Sequence, residues 1–387
     1  MSRAGTGTGA STVIAEAAVF TESGGPLELL DLAVRAPLAH EVRVRLAATG
    51  VCHTDQSILT GAIPFAPPLV LGHEGAGVVD LVGSGVTGLS PGDPVILTWL
   101  TQCGSCFYCV RSQPELCETK PTADPSAPPR LTRAGDPVAQ LAGVGTFSSV
   151  VVVDAATVVR LPADIPMTSA CLIGCGVLTG IGAALNTAAV RPGDVVAVLG
   201  CGGVGLNVVQ GARIAGASHI VAVDLMPEKL ELARRFGASA VVRGTDPAAV
   251  LESVRELTGG RGADVVFEVV GLPSTVRQAL DLTRPGGRVC LVGAAPLNAT
   301  MDLPMYLPFV SQQKSIIGCR CGSTNVAREV PFIVERYRRG DLLLDELVGN
   351  TVPLTKINDV VDNLDSAAVA RTVIDFTLQP SDSAHRT

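Results

Sequence analysis

Cys103, Cys106, Cys109 and Cys117 follow one another as C-x2-C-x2-C-x7-C. Two-residue gaps let one tight loop turn several sulfurs toward a single point, and Gly104, directly after the first cysteine, eases such a turn. Four thiolates match tetrahedral Zn²⁺ with every position taken by protein, which makes a structural site and leaves no place for substrate. An iron–sulfur cluster fits less well. The bacterial ferredoxin run closes with a three-residue gap and a proline, whereas here seven residues intervene and Glu118 follows. Disulfides also fit poorly, because the opening MSRAGTGTGAS lacks the basic and apolar regions of a secretory leader.

Chemistry must then be sought among the other cysteines: Cys52, Cys171, Cys175, Cys201, Cys290, Cys319 and Cys321. Most suit small buried positions, since free cysteine packs as an apolar side chain. Cys52 lies in Gly50-Val-Cys-His-Thr-Asp55 and His73 in Leu71-Gly-His-Glu-Gly75. A further thiolate completes a Cys2His set, the composition of a catalytic zinc that keeps its fourth position open. Cys175 is the candidate, because Gly174 and Gly176 on either side allow close backbone approach. Residue types and spacing alone leave this set undecided between ligands and ordinary structural residues.

A second constellation lies further along. Val195-Val-Ala-Val-Leu199 is a β-branched run suited to a strand buried on both faces, and Gly200-Cys-Gly-Gly-Val-Gly205 follows at once. Asn207 to Ala215 reads as helix, Ile220 to Val223 as the next strand, and Asp224 ends that strand. This is the dinucleotide fingerprint in its required context. Gly200 permits the turn, Gly202 opens the backbone to a pyrophosphate, and Gly205 lets the helix pack on the sheet with its positive end toward the phosphates. Asp224 is placed for the adenosine ribose and repels a 2′-phosphate, which favours NAD over NADP. Ala263 to Phe267 and Arg288 to Gly293 read as further parallel strands and Glu228 to Phe236 as helix, so the expected class is α/β with a doubly wound sheet.

The whole chain bounds these readings. Its 387 residues exceed what one core usually supports, which predicts two domains. With 47% hydrophobic and 17% charged residues it has ample material to bury. A formal net charge of −7 without basic clusters argues against nucleic-acid binding. The glycine-broken apolar stretch from Val195 to Val209 fails as a membrane span. Residues 1–11 read as a mobile tail.

Taken together, GVCHTD, LGHEGAG, the four-cysteine loop, GTFSS, GCGVLTGIGAALNT, GCGGVG, VAVD and ARTV stand in one order. In that set the chain resembles the zinc-dependent medium-chain alcohol dehydrogenases, particularly the branch of the class III enzymes and the bacterial aryl-alcohol and thiol-linked formaldehyde dehydrogenases. The resemblance implies a GroES-like, β-rich catalytic domain of residues 12–177 and 319–387, with a Rossmann domain of residues 178–318 inserted. It implies two zinc ions per chain. One is structural, and one is catalytic on Cys52, His73 and Cys175, with Glu74 able to exchange onto the metal and Asp55 orienting His73. It assigns NAD contacts to His53, Thr179, Gly200, Gly202, Gly203, Val204, Gly205, Asp224, Lys229, Val292 and Arg371.

The reaction the resemblance implies is reversible hydride transfer between a primary alcohol or aldehyde and NAD(H). Thr54 matches the hydroxyl that takes the alcohol's proton. Ser57 stands where many relatives carry a histidine, so the outlet to solvent runs through the serine or water. Trp99, Ala142, Ala294 and Arg320 fall at pocket positions, narrow beside the metal and wider further out. Ala62 to Pro68 contains no acid and Lys120 is the nearby cation, which argues against glutathione and leaves a mycothiol-type thiol adduct as the alternative substrate. A homodimer or homotetramer in the cytoplasm is expected. The reading from another class is a zinc- and dinucleotide-binding protein without turnover.

Overall fold

The computed structural model describes residues 12–119, 127–364, 369–379 and 384–385; the tail and Lys120 lie outside the described residues. Its six-stranded sheet is wholly parallel, in the spatial order Ala240–Arg243, His219–Asp224, Val195–Leu199, Ala263–Glu268, Thr283–Leu291, Ser315–Gly318. The Val195–Leu199 strand shows why such a run must be apolar throughout. Val196 and Val198 enter one core cluster while Ala197 and Leu199 enter another on the opposite face. Strand order reverses direction between Val195–Leu199 and Ala263–Glu268, and that switch point is where an open α/β sheet forms its crevice.

The helix after the fingerprint runs Gly203–Ile214, four residues earlier than the expected start at Asn207. The glycines do not delay it, because they are needed for packing. A Cβ on Gly205 would lie 1.9 Å from the Gly200 carbonyl oxygen. Gly200 itself has φ +96, where an ordinary side chain is strained.

The remaining strands form a β-rich assembly: a small closed barrel of Val13–Phe20, Glu28–Val34, Leu131–Arg133, Asp136–Gln140 and Leu69–Val70, beside an eight-stranded sheet. The ten-residue strand Glu41–Gly50 is central in that sheet and pairs with Glu74–Val82, Val150–Asp154 and Arg371–Asp375. Register matters at its end. Gly50 is opposite Glu74 on one side and Val373 on the other, so the chain leaving Gly50 toward Cys52, the chain entering at His73 and Glu74, and the C-terminal strand bearing Arg371 meet at one place.

Among the described residues no single helix is long and apolar enough to cross a membrane. Met167–Gly174 and Gly176–Thr187 are apolar together but meet at 55°. Leu172, Ile173, Val177, Leu178 and Ile181 are buried in the largest core cluster, which accounts for that apolarity.

Candidate metal centres and coenzyme cleft

The sulfurs of Cys103, Cys106, Cys109 and Cys117 all lie within 4.8 Å of one another. Cys103 Sγ to Cys109 Sγ is 4.0 Å and Cys106 Sγ to Cys117 Sγ is 3.9 Å. A tetrahedron with Zn–S bonds of ~2.3 Å has edges of roughly 3.8 Å, so the four donors fit zinc in number, chemistry and spread. Gly104 takes φ +74 to make the turn. The Cys106 N–H donates to Cys103 Sγ at 3.3 Å and the Cys103 N–H donates to Cys117 Sγ at 3.4 Å. A hydrogen bond with Thr119, then the Ser105 and Cys106 N–H groups, bring the Cys103 thiol down to about 5.

Donor atoms of Cys52, His73, Glu74 and Cys175 form a second group within 4.8 Å, every residue buried. Cys52 caps the helix His53–Leu59 with extended backbone, and the Asp55 carboxylate one turn on accepts from the Cys52 N–H at 3.1 Å and the Gly72 N–H at 3.0 Å. The same carboxylate lies 3.3 Å from His73 Nδ1, off the line of an ideal hydrogen bond. Holding Nδ1 this way leaves Nε2 for a metal. Burial would lower the His73 pKa, but Asp55 outweighs it and raises it. Cys175 and Cys52 share a hydrogen bond that pulls Cys52 well down and pushes Cys175 up, as expected when two thiols hold one proton.

Backbone approach sets the position of Cys175. A Cβ on Gly174 would stand 2.3 Å from the Leu97 carbonyl oxygen, and one on Gly176 would stand 3.1 Å from Arg371 Nη2 and 3.6 Å from Glu74 Oε1. Glu74 is fully buried, and among the described residues neither of its carboxylate oxygens has a hydrogen-bond partner. Burial pushes its carboxyl up to about 7 against the pull of Arg371, whose Nε is 3.6 Å from Oε2. A buried carboxylate that accepts no hydrogen bond, beside two thiols and an imidazole, is a donor set suited to a cation.

Arg371 also reaches the fingerprint. A Cβ on Gly203 would fall 2.6 Å from Arg371 Nη1, whereas one on Gly202 meets nothing within 4 Å, so the helix opens onto a cradle with a guanidinium at its side.

Two family models cover most of this architecture: an alcohol dehydrogenase GroES-like domain over residues 38–163 and a zinc-binding dehydrogenase over residues 203–335. The class-3 alcohol dehydrogenase of Myxine glutinosa is 39% identical over 93% of this chain and 97% of its own length. The "Probable S-(hydroxymethyl)glutathione dehydrogenase 1" of Schizosaccharomyces pombe is 36% identical over 94% of this chain and 98% of its own. Among solved structures, benzyl alcohol dehydrogenase from Acinetobacter calcoaceticus superposes with a TM-score of 0.86 at 30% identity, covering 94% and 99% of the two chains. The chain belongs to the zinc-dependent medium-chain alcohol dehydrogenase family.

The remaining candidate positions of this alcohol dehydrogenase family member lie on several elements around these groups. Thr54 Oγ1 lies 3.8 Å from Cys52 Sγ, and Ser57 follows on the same helix, half-buried. His53 opens that helix and is exposed. Thr179 lies one turn after Cys175 and donates to Cys321 Sγ at 3.7 Å. Asp224 accepts from the Cys201 N–H at 2.8 Å and the Met226 N–H at 3.0 Å, which ties the end of its strand to the glycine turn. Lys229 sits half-buried in the helix Pro227–Phe236. Val204 lies in the first turn of the fingerprint helix, and the Val292 N–H donates to the Glu268 carbonyl at 2.8 Å. Ala294 is exposed against Gly271. Trp99 packs on the core cluster that holds Cys171, Leu172 and Ile173, with Arg320 over its ring. Ala142 packs against the core cluster that also holds Val51, Ile58 and Leu59, the residues around the Cys52 ligand and its helix.

Sequence reasoning passed over Glu268. Its buried carboxylate accepts from the Val270 N–H at 2.9 Å, the Gly271 N–H at 2.7 Å and the Thr275 hydroxyl at 2.7 Å. It thereby shapes the loop whose Val270 touches the Gly200 turn. The signal was present: an acid closing the buried apolar strand Ala263–Glu268.

Proposed function

We propose that this dehydrogenase oxidises primary alcohols to aldehydes, reversibly, with NAD as coenzyme. The observation that carries this reading is the meeting of Cys52, His73, Glu74 and Cys175 beside Arg371, which itself lies against Gly203 of the dinucleotide turn. When bound at the second group, zinc supplies a Lewis acid for the substrate oxygen, and NAD supplies the hydride acceptor. Cys52, His73 and Cys175 hold the metal, with Glu74 beside them; Cys103, Cys106, Cys109 and Cys117 hold the structural ion.

The chain's own groups do the rest. Asp55 keeps the His73 ring oriented. Arg371 and the positive end of Gly203–Ile214 draw the coenzyme's phosphates to the crevice, Asp224 meets the ribose, and Thr179 and Lys229 add contacts. His53 stands at the pyrophosphate and Val292 at the nicotinamide. Thr54 Oγ1 accepts the alcohol's proton while its own hydroxyl proton moves on toward the nicotinamide ribose, and Ser57 or water carries a proton out to solvent. Trp99 narrows the inner pocket, and Ala294 leaves room further out. We take residues 12–177 and 319–387 as the catalytic domain and 178–318 as the coenzyme domain. We place the enzyme in the cytoplasm, where its thiols stay reduced, as a homodimer or homotetramer.

A second substrate reading is a thiol adduct of formaldehyde. The similarity to the Schizosaccharomyces pombe S-(hydroxymethyl)glutathione enzyme supports it. The absence of acids in Ala62 to Pro68 weighs against glutathione as the thiol. The deciding experiment follows NADH absorbance with a panel of primary alcohols and with formaldehyde, with and without glutathione or mycothiol. Turnover of simple alcohols without thiol supports the first reading, and formaldehyde oxidation only in the presence of thiol supports the second. No NADH under any condition rejects both.

A further inference from the structure

Arg320 Cζ stands 5.7 Å from the centroid of the Trp99 ring. Among the described residues no carboxylate lies within ion-pair distance of Arg320, and its side chain is exposed while Trp99 is partly buried. A cation on a protein surface usually finds solvent or an acid. This one lies on an indole, and a planar guanidinium there keeps its N–H edges free for a carboxylate.

Both residues are held to the segment that carries the metal ligand Cys175. On one side, Trp99 follows two residues after Leu97, whose carbonyl oxygen packs on Gly174. On the other, Arg320 begins the turn Cys321–Ser323. Cys321 Sγ accepts from Thr179, Gly322 lies against Gly182 with no room for a side chain, and Ser323 Oγ is 2.8 Å from Thr187 Oγ1. Gln102 closes the ring, donating from Nε2 to the Thr324 carbonyl at 2.7 Å and accepting from the Val326 N–H at 3.0 Å. The backbone under Arg320 is therefore tied down at four points, and the charge projects from a rigid base.

We propose that Arg320 is a specificity-determining residue that selects alcohols and aldehydes carrying a carboxylate on the tail remote from the reacting carbon. The proposal rests on the alcohol dehydrogenase reading above and deepens it. Trp99 offers a flat apolar face to the body of the substrate. Arg320, with its guanidinium carbon 5.7 Å from the ring centroid, meets the anion with a paired donor edge. Aromatic hydroxymethyl acids match this shape best, with the reacting carbon and the carboxylate at opposite ends of a flat ring.

The test compares 4-(hydroxymethyl)benzoate with its neutral primary amide, near-isosteric with it, using wild type, Arg320→Leu and Arg320→Lys as intact zinc-loaded enzymes. The readout is the ratio of kcat/KM for acid over amide. A desolvated charge-assisted contact predicts a ratio roughly tenfold or more above that of Arg320→Leu, with Arg320→Lys between. The wild-type ratio also falls as salt rises, because part of the attraction reaches through solvent. A wild-type ratio of one or less overturns the proposal, as does a ratio unchanged in Arg320→Leu. A uniform loss on both substrates makes Arg320 a structural residue and overturns it too. The amide and benzyl alcohol serve as internal controls: if wild type oxidises them, the alcohol dehydrogenase reading stands whatever the ratio, and if it oxidises no alcohol at all, that reading has failed first.

Discussion

Arg371 Nε stands 3.6 Å from Glu74 Oε2, both side chains buried, and the same guanidinium fills the space a Cβ on Gly203 would occupy. One cation thus touches the carboxylate of the metal group and the first turn of the coenzyme helix. Replacing Arg371 with Ala strips Glu74 of its partner, and breaking a buried pair typically costs roughly 3–5 kcal/mol. The expected outcome is a lower melting temperature together with at least ~10-fold weaker NADH binding by fluorescence titration. Arg371→Lys restores stability more than affinity, since lysine keeps the charge but not the planar fork. Unchanged NADH affinity in Arg371→Ala removes Arg371 from the coenzyme site.

The two cysteine groups separate by their consequences. Cys106→Ser is expected to lose one zinc by elemental analysis and to melt or precipitate earlier, because structural zinc contributes folding energy directly. Cys175→Ala is expected to abolish turnover while its melting curve stays near wild type. Equal destabilisation by both substitutions contradicts the division of roles.

Asp224 carries the coenzyme choice. Asp224→Asn keeps an oxygen for the Cys201 N–H, which Asp224 now binds at 2.8 Å, but removes the charge facing a 2′-phosphate. The ratio of kcat/KM for NAD⁺ over NADP⁺ should fall roughly tenfold or more, which corresponds to a charged hydrogen bond gone and a repulsion relieved. A wild type that already prefers NADP⁺ reverses the assignment.

Acid stability should depend on Glu41. Its carboxylate pairs with Arg35 at 2.5 Å and with Arg130 at 2.8 Å and accepts from the Leu38 N–H at 2.8 Å. Burial alone would raise this carboxyl, but Arg35, Leu38 and Arg130 together bring it down from 4.5 to about 2. A depressed folded-state value means that the unfolded chain takes up the proton first as pH falls. The stabilisation is therefore complete above about pH 4.5 and drains away as pH falls toward 2. Glu41→Gln should melt below wild type at pH 7, with the gap narrowing between pH 4.5 and 3. A constant gap across that range refutes the linkage.

Local pattern alone determined the four-cysteine knot, the glycine turn and its flanking strand and helix, because these depend on backbone torsions and on ligands a few residues apart. Gly104 at φ +74 and Gly200 at φ +96 are positions where the chain itself demands glycine. The second metal group was of another kind. Cys52, His73 and Cys175 come from three separate segments, and their types and spacing did not distinguish ligands from structural residues until a family resemblance singled them out. Tertiary structure decided their meeting through sheet register: Gly50 opposite Glu74 and Val373 delivers Cys52, His73, Glu74 and Arg371 to one end of the sheet. Glycines at 174 and 176 then let the loop with Cys175 close on it. The same dependence set Arg320 on Trp99. A side chain's partners across a sheet or a core follow from how distant segments pack, and no local period records that.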